Sequence, residues 1–199
     1  MYGNRKKSLA IYTINRSGSV IINHSLQSNI RNLLSNKSSC DVKLRVRDEI
    51  EEAHKSILVA RSPVFHEMFQ QEMLEIVDIH DVDIATLKLL LNFFYSDTVE
   101  KMDYNCVKKL VIAAHCYGVP HLKEICASSL ESDMSEKNAC EIALLAERVH
   151  HADLKSFALH FIAYHHTDIF IQPDWLSWSK YNMELAAEVF QKLTEQQKN

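Results

Sequence analysis

Residues 53–69 read Ala-His-Lys-Ser-Ile-Leu-Val-Ala-Arg-Ser-Pro-Val-Phe-His-Glu-Met-Phe. Two short apolar runs meet at a Ser-Pro step, which leaves a buried helical hairpin as the simplest fold. Ile57, Leu58 and Ala60 belong to the first helix. Pro63 follows Ser62, and a proline at the first helical position lacks only an N–H that a helix start leaves unpaired anyway. A second helix therefore starts there, with Val64, Met68 and Phe69 as its apolar face. On periodicity alone this is a helical hairpin of an α-rich protein.

Glycine is scarce: three in 199 residues, at 3, 18 and 118. A phosphate-cradling loop needs several glycines in a short span so that backbone N–H groups can approach the anion, and none is present. No G-x-S-x-G elbow or H-E-x-x-H helix occurs. The doublets His150-His151 and His165-His166 point their neighbours about a hundred degrees apart on a helix, which suits partly exposed side chains rather than a catalytic pair. No spacing supports an enzyme. His115, Cys116, His121 and Cys126 are metal-ligand types, but the expectation is that the two cysteines fill helix core faces and the histidines lie near the surface. No metal or cofactor is expected.

A net charge of -4 argues against a nucleic-acid surface. Without an apolar leader or an apolar run of about eighteen residues, neither secretion nor a membrane span is expected. The five cysteines are widely spaced and read as free thiols of a reducing compartment, nucleus or cytoplasm.

Leu9–Ile14 reads as one strand followed by a polar turn, Asn15–Ser19. Leu26, Ile30, Leu33 and Leu34 then keep the spacing of one helix face. Asp41–Val46 alternates as a strand does; Ile50–Ala53 returns beside it, with Asp48-Glu49 in the turn. A short strand is expected at Ile76–Ile79. Asp83 caps a helix carrying Leu87, Leu90, Leu91 and Phe94. Val107, Leu110, Val111 and Ala114 mark the next, ended by Gly118 as C-cap; Pro120 begins another, with Leu122, Ile125 and Cys126. Ser135 is the expected N-cap of a helix with Ile142, Leu145, Ala146 and Val149. Leu154, Phe157, Ala158 and Phe161 form a further stripe, Trp175 and Trp178 anchor a turn, and Glu184–Leu193 is the last helix, presenting Leu185, Val189 and Phe190.

The string from Ala53 to Phe69, with His54-Lys55, Ile57-Leu58, Ala60 to Phe65 and Met68-Phe69, resembles the signature of the BTB/POZ family, and within it the speckle-type POZ proteins. The resemblance implies an α+β, mostly α chain: an N-terminal arm over 1–25, a BTB/POZ domain over 26–133 and an all-α BACK-like region over 134–199. The Leu9–Ile14 strand then resembles the last strand of a MATH domain otherwise missing here. Two departures stand out. Glu51 occupies a position the family gives to an aromatic, with Ile50 expected to supply the apolar side chain one position early, and the loop after Phe69 is shorter than in speckle-type relatives.

The resemblance also implies roles. Leu26, Ile30, Leu33 and Ile57 match a dimer interface, Met73 and Glu75 an apolar-x-Glu motif that binds the BTB-specific cullin, and Phe190 a second self-association face. The implied function is a non-enzymatic homodimeric adaptor of a cullin-RING ubiquitin ligase, serving proteasomal degradation of an unknown protein substrate. The alternative is a self-association module without ligase output that forms heterodimers with full-length relatives.

Overall fold

The computed structural model describes residues 13–14, 20–21, 23–71 and 75–196. They fall into two units, Met1–Val99 and Glu100–Asn199.

In the first unit, β1 (Thr13–Ile14) pairs antiparallel with β2 (Val20–Ile21). The strand expected at Leu9–Ile14 therefore has a partner in β2; its residues 9–12, and the turn expected at Asn15–Ser19, lie outside the described residues. α1 (Asn23–Ser35) packs on the later helix α4 (Ile84–Ser96), and a single 3-10 turn covers Lys37–Ser39. β3 (Val42–Val46) is the middle of a three-stranded sheet. It runs antiparallel to β4 (Glu49–Ala53) and parallel to β5 (Ile76–Asp78). Val42, Leu44 and Val46 are buried and the residues between them exposed, the alternation of a half-buried strand.

Register corrects one expectation. Val46 faces Glu49, so the turn is Arg47-Asp48, with Arg47 at a φ of 54°, one residue earlier than expected. In a strand of period two, this puts Ile50 opposite Arg45 on the outer face, 45% exposed, and turns half-buried Glu51 inward to an ion pair with Lys88 at 3.1 Å. Ile50 does not fill the aromatic position. The outer face also carries a two-bond fork from Arg45 to Asp78, at 2.5 and 2.7 Å, which holds the Asp78 carboxyl below its ordinary range.

The helical hairpin is present: α2 (Lys55–Arg61) and α3 (Pro63–Gln71) meet at Ser62, whose Oγ accepts the Phe65 N–H at 3.2 Å. Leu58 and Phe65 are fully buried. Phe65 stacks with Phe69 and meets Phe94 of α4 edge-on, with centroids 6.2 and 6.3 Å away. Asp83 caps α4 as expected, accepting the Thr86 N–H at 2.8 Å.

In the second unit, α5 (Tyr104–Cys116) packs against α6 (Pro120–Ser132), and α7 (Ala139–Arg148) against α8 (Ala152–Tyr164), which also meets α11 (Met183–Gln196); α9 (His166–Phe170) and α10 (Pro173–Tyr181) complete the unit. α5 ends in a two-bond C-cap, Val119 N–H to the Ala114 carbonyl and Gly118 N–H to that of His115, with Gly118 at a φ of 65°. α7 ends in the same pattern, but His150 takes the left-handed position at 50°.

Several local expectations shift. Ser135 begins a hydrogen-bonded turn, Asn138 returning its Oδ1 to the Ser135 N–H at 2.7 Å, and the helix proper starts at Ala139. The Trp175 and Trp178 pair lies on helix α10, which begins at Pro173. Cys116 is exposed while Cys126 is buried. α8 buries Leu154, Ala158, Leu159, Ile162 and Ala163, a face rotated away from Phe157, which is 45% exposed. His151 is buried: its Nδ1 accepts the Leu154 N–H at 3.1 Å and caps α8, and Nε2 meets Glu124 at 3.1 Å.

His150 and His115 stand edge to face at 5.5 Å. Burial, then Lys123 and His150, hold the His115 imidazole below its ordinary value. A depressed imidazole binds its proton less readily folded than unfolded, so its contribution to stability is present above the unfolded value of about 6.5 and is lost as pH falls below it. His150→Gly removes the neighbouring ring and the strain of a left-handed non-glycine residue, roughly 1 kcal/mol. Urea denaturation at pH 7.5 and 5.5 should show the variant more stable at the higher pH, with a smaller loss on acidification.

Candidate functional site

Exposed apolar side chains and the sheet margin are where this chain offers contacts. α1 presents Leu26 at 66% exposure, with Ile30 and Leu33 half-buried along the same face. Gln27, beside Leu26, ties the helix down through Nε2 to the Ser96 carbonyl at 2.5 Å. Ile57 is half-buried on α2. Thus three of the four expected dimer residues share one helix face, and the fourth comes from the hairpin.

Met73 lies outside the described residues. Glu75 is exposed directly before β5, and its carbonyl accepts the Lys43 N–H at 2.8 Å. The sheet ladder thus anchors its backbone while the carboxylate faces outward. It borders a polar cavity of about 310 Å³ shared with Cys40, Asp41, Lys43 and Glu52. Burial, then the Glu52 and Asp41 carboxylates, push the Cys40 thiol up, which makes it a poor nucleophile.

Behind this margin, His54 Nε2 is 2.9 Å from Ser39 Oγ, and Nδ1 is 2.8 Å from the Tyr95 hydroxyl, which also accepts the His54 backbone N–H at 2.9 Å. A serine beside an imidazole has the outline of a nucleophile and its base. Here, however, a tyrosine stands behind the ring where a carboxylate would be needed to orient and charge it. With its oxygen already accepting the backbone N–H, the tyrosine O–H is assigned as donor to Nδ1, leaving Nε2 to donate to Ser39. Burial pushes the Tyr95 hydroxyl up to about 12, so it keeps that proton. The trio clasps α4 to the start of α2, which Asp41 also holds by accepting the Lys55 N–H at 2.7 Å. Sequence reasoning placed His54 in the signature string but not Ser39 or Tyr95 beside it.

At the other end of the chain, Phe170, Trp175 and Trp178 stack in series at 4.2 and 5.3 Å, with Phe190 edge-on to Phe170 at 5.8 Å. Phe190 is 51% exposed, and Ile171, Leu176, Tyr181 and Met183 are more so. The Trp178 indole N–H is buried and finds no acceptor among the described residues. Among those residues no three His, Cys, Asp or Glu side chains converge on a metal-binding geometry, and no helix is long and apolar enough to cross a membrane.

Residues 30–134, just over half of the chain, match the BTB/POZ domain family. The chain belongs to the BTB/POZ family. Mouse TD and POZ domain-containing protein 1 is 33% identical over 179 residues, covering 87% of this chain and 49% of the relative. Mouse TD and POZ domain-containing protein 3 is 34% identical over 175 residues, covering 85% and 48%. The chain therefore spans about half the length of these relatives. They are not named as speckle-type POZ proteins, and the expected loss of a MATH sandwich finds no support in them. Among solved structures, the BTB domain of zebrafish PATZ1 superposes with a TM-score of 0.50 at 26% identity, covering 57% of this chain and 96% of its own. The BTB domain of human gigaxonin, at 20% identity, shares the fold with a TM-score of 0.50. The mostly helical α+β BTB/POZ fold expected from the signature is thus the fold found. BTB domains in general self-associate and pair with other proteins.

Proposed function

We propose that this BTB/POZ chain is a non-enzymatic adaptor of a cullin-RING ubiquitin ligase, homodimerising through its BTB domain and docking on the BTB-specific cullin. The observation that carries the reading is the domain match over residues 30–134, since BTB domains in general mediate dimerisation and can act in cullin adaptors. The apolar-x-Glu spacing of Met73 and Glu75, just before β5, supports the finer assignment. In this reading Leu26, Ile30, Leu33 and Ile57 meet their copies in a second subunit. Met73 enters an apolar recess on the cullin, where its flexible thioether adapts to an irregular pocket, and Glu75 fixes orientation from its anchored backbone. Ubiquitin transfer belongs to the RING subunit and its conjugating partner, the product is a protein marked for the proteasome, and the complex works in the nucleus, the cytoplasm or both.

Exposed Leu26 and Phe190 support a second reading equally well: self-association without ligase output, pairing with full-length relatives, Phe190 serving as a second contact. Met73→Asp separates the two. Under the adaptor reading it abolishes co-purification with the cullin N-terminal domain, because a carboxylate is forced into an apolar recess, and leaves the dimer mass unchanged. Retained cullin binding would remove Met73 from the contact; a wild-type chain that never binds cullin leaves the self-association reading.

A further inference from the structure

Two histidines join α7 to α8. His150 takes the left-handed position that ends α7, and His151 is the N-cap of α8. Serine, threonine, aspartate and asparagine are the usual caps, because a side-chain oxygen accepts a backbone N–H without titrating near neutrality. Here the acceptor is an imidazole nitrogen: His151 Nδ1 takes the Leu154 N–H at 3.1 Å, and both residues are buried. A neutral ring that accepts at Nδ1 carries its one proton on Nε2, and that N–H donates to the Glu124 carboxylate of α6 at 3.1 Å. The backbone of α8 therefore fixes the tautomer.

A second proton has one place to go, the Nδ1 lone pair that makes the cap, so charging the ring and capping α8 exclude each other. An imidazolium at that position would also face the positive end of the α8 dipole, where a cation is unfavourable. Glu124 stands on the other side of the ring with its side chain 62% exposed, a counter-charge toward solvent. The other charged and titratable groups on the elements around this joint are engaged elsewhere or lie at the surface. Lys123 of α6 reaches the Val149 carbonyl at 3.4 Å, and His115 of α5 faces His150. Lys155 of α8 spans Glu147 of α7 and Glu188 of α11 at 2.7 and 2.8 Å, while His121, Arg148 and Asp153 are exposed. We propose that His151 is a proton-operated latch. Neutral, it caps α8 and seats Leu154; protonated, it swings toward Glu124 and leaves the first turn of α8 uncapped. This holds or fails independently of the adaptor reading.

The test is nuclear magnetic resonance on the whole chain, following amide hydrogen exchange and the histidine ring signals from about pH 7.5 to 5.5, the range in which imidazoles change charge. The protection factor of the Leu154 amide should fall roughly fivefold, the worth of a typical N-cap, with the same midpoint as the His151 ring signals. Amides in the middle of α5 should keep their protection. His151→Ser retains an acceptor but no titrating group, so Leu154 should stay protected over the whole range. His150→Gly alters the neighbouring imidazole alone and should preserve the fall. A His151 ring that titrates while Leu154 stays protected, or a ring that keeps one charge state throughout, would overturn the proposal. So would a fall shared equally by α5, one that survives in His151→Ser, or one that disappears in His150→Gly.

Discussion

Leu26→Asp combined with Ile30→Asp is expected to run as a monomer in light scattering where the unaltered chain runs as a dimer. Leu26 is 66% exposed in the single chain, so an aspartate there does little harm until a partner covers it. In a two-fold interface each side chain counts twice. Two side chains in each of two subunits, at roughly 1.5 kcal/mol each, come to about 6 kcal/mol, or about four orders of magnitude in dissociation constant. Four carboxylates brought into an apolar seam add to that. An unchanged mass would take α1 out of the interface. Circular dichroism should stay close to that of the parent chain, because Leu26 is exposed and Ile30 only half-buried in the single chain.

Phe65→Ala should produce the largest loss of folding stability. The ring is fully buried at the start of α3, between Phe69 and Phe94. Removing such a ring costs about 3–5 kcal/mol in lost transfer energy and in the cavity left behind, a large share of the roughly 5–15 kcal/mol that holds a domain folded. Phe157→Ala, the same substitution on the exposed face of α8, should fall within about 0.5 kcal/mol of the parent. Urea titration of both variants decides this; similar losses would mean that the burial of Phe65, and with it the seating of the hairpin, is misjudged.

The two phenylalanines also show what a linear sequence discloses. Ser62-Pro63, Asp83 and Gly118 act on backbone groups within a few residues, so their roles at helix ends could be read directly. Ile50 could not be placed that way, because a turn one residue early inverts the faces of the whole strand, and only the pairing of Val46 with Glu49 fixes it. On α8 the true buried face includes Leu159, Ile162 and Ala163, and Phe157 resembled them in type but not in angle. Asp103, which accepts the Cys106 N–H at 3.0 Å to cap α5, carried a legible signal that went unread. His151 did not: its burial follows from capping α8 while facing Glu124, twenty-seven residues away. The candidate contacts divide in the same manner. Leu26, Glu75 and Phe190 could be named from resemblance, whereas the clasp of Ser39 and Tyr95 on His54 exists only because α4 is brought against the start of α2, with His54 and Tyr95 forty-one positions apart.

Calorimetric titration of the purified chain with the N-terminal domain of the BTB-specific cullin tests the adaptor reading most directly. Saturable submicromolar binding at one cullin per chain is the expected result, with a dimer carrying two. A dimer that gives no heat and no complex at any attainable concentration would contradict it, leaving a BTB/POZ module whose output is self-association alone.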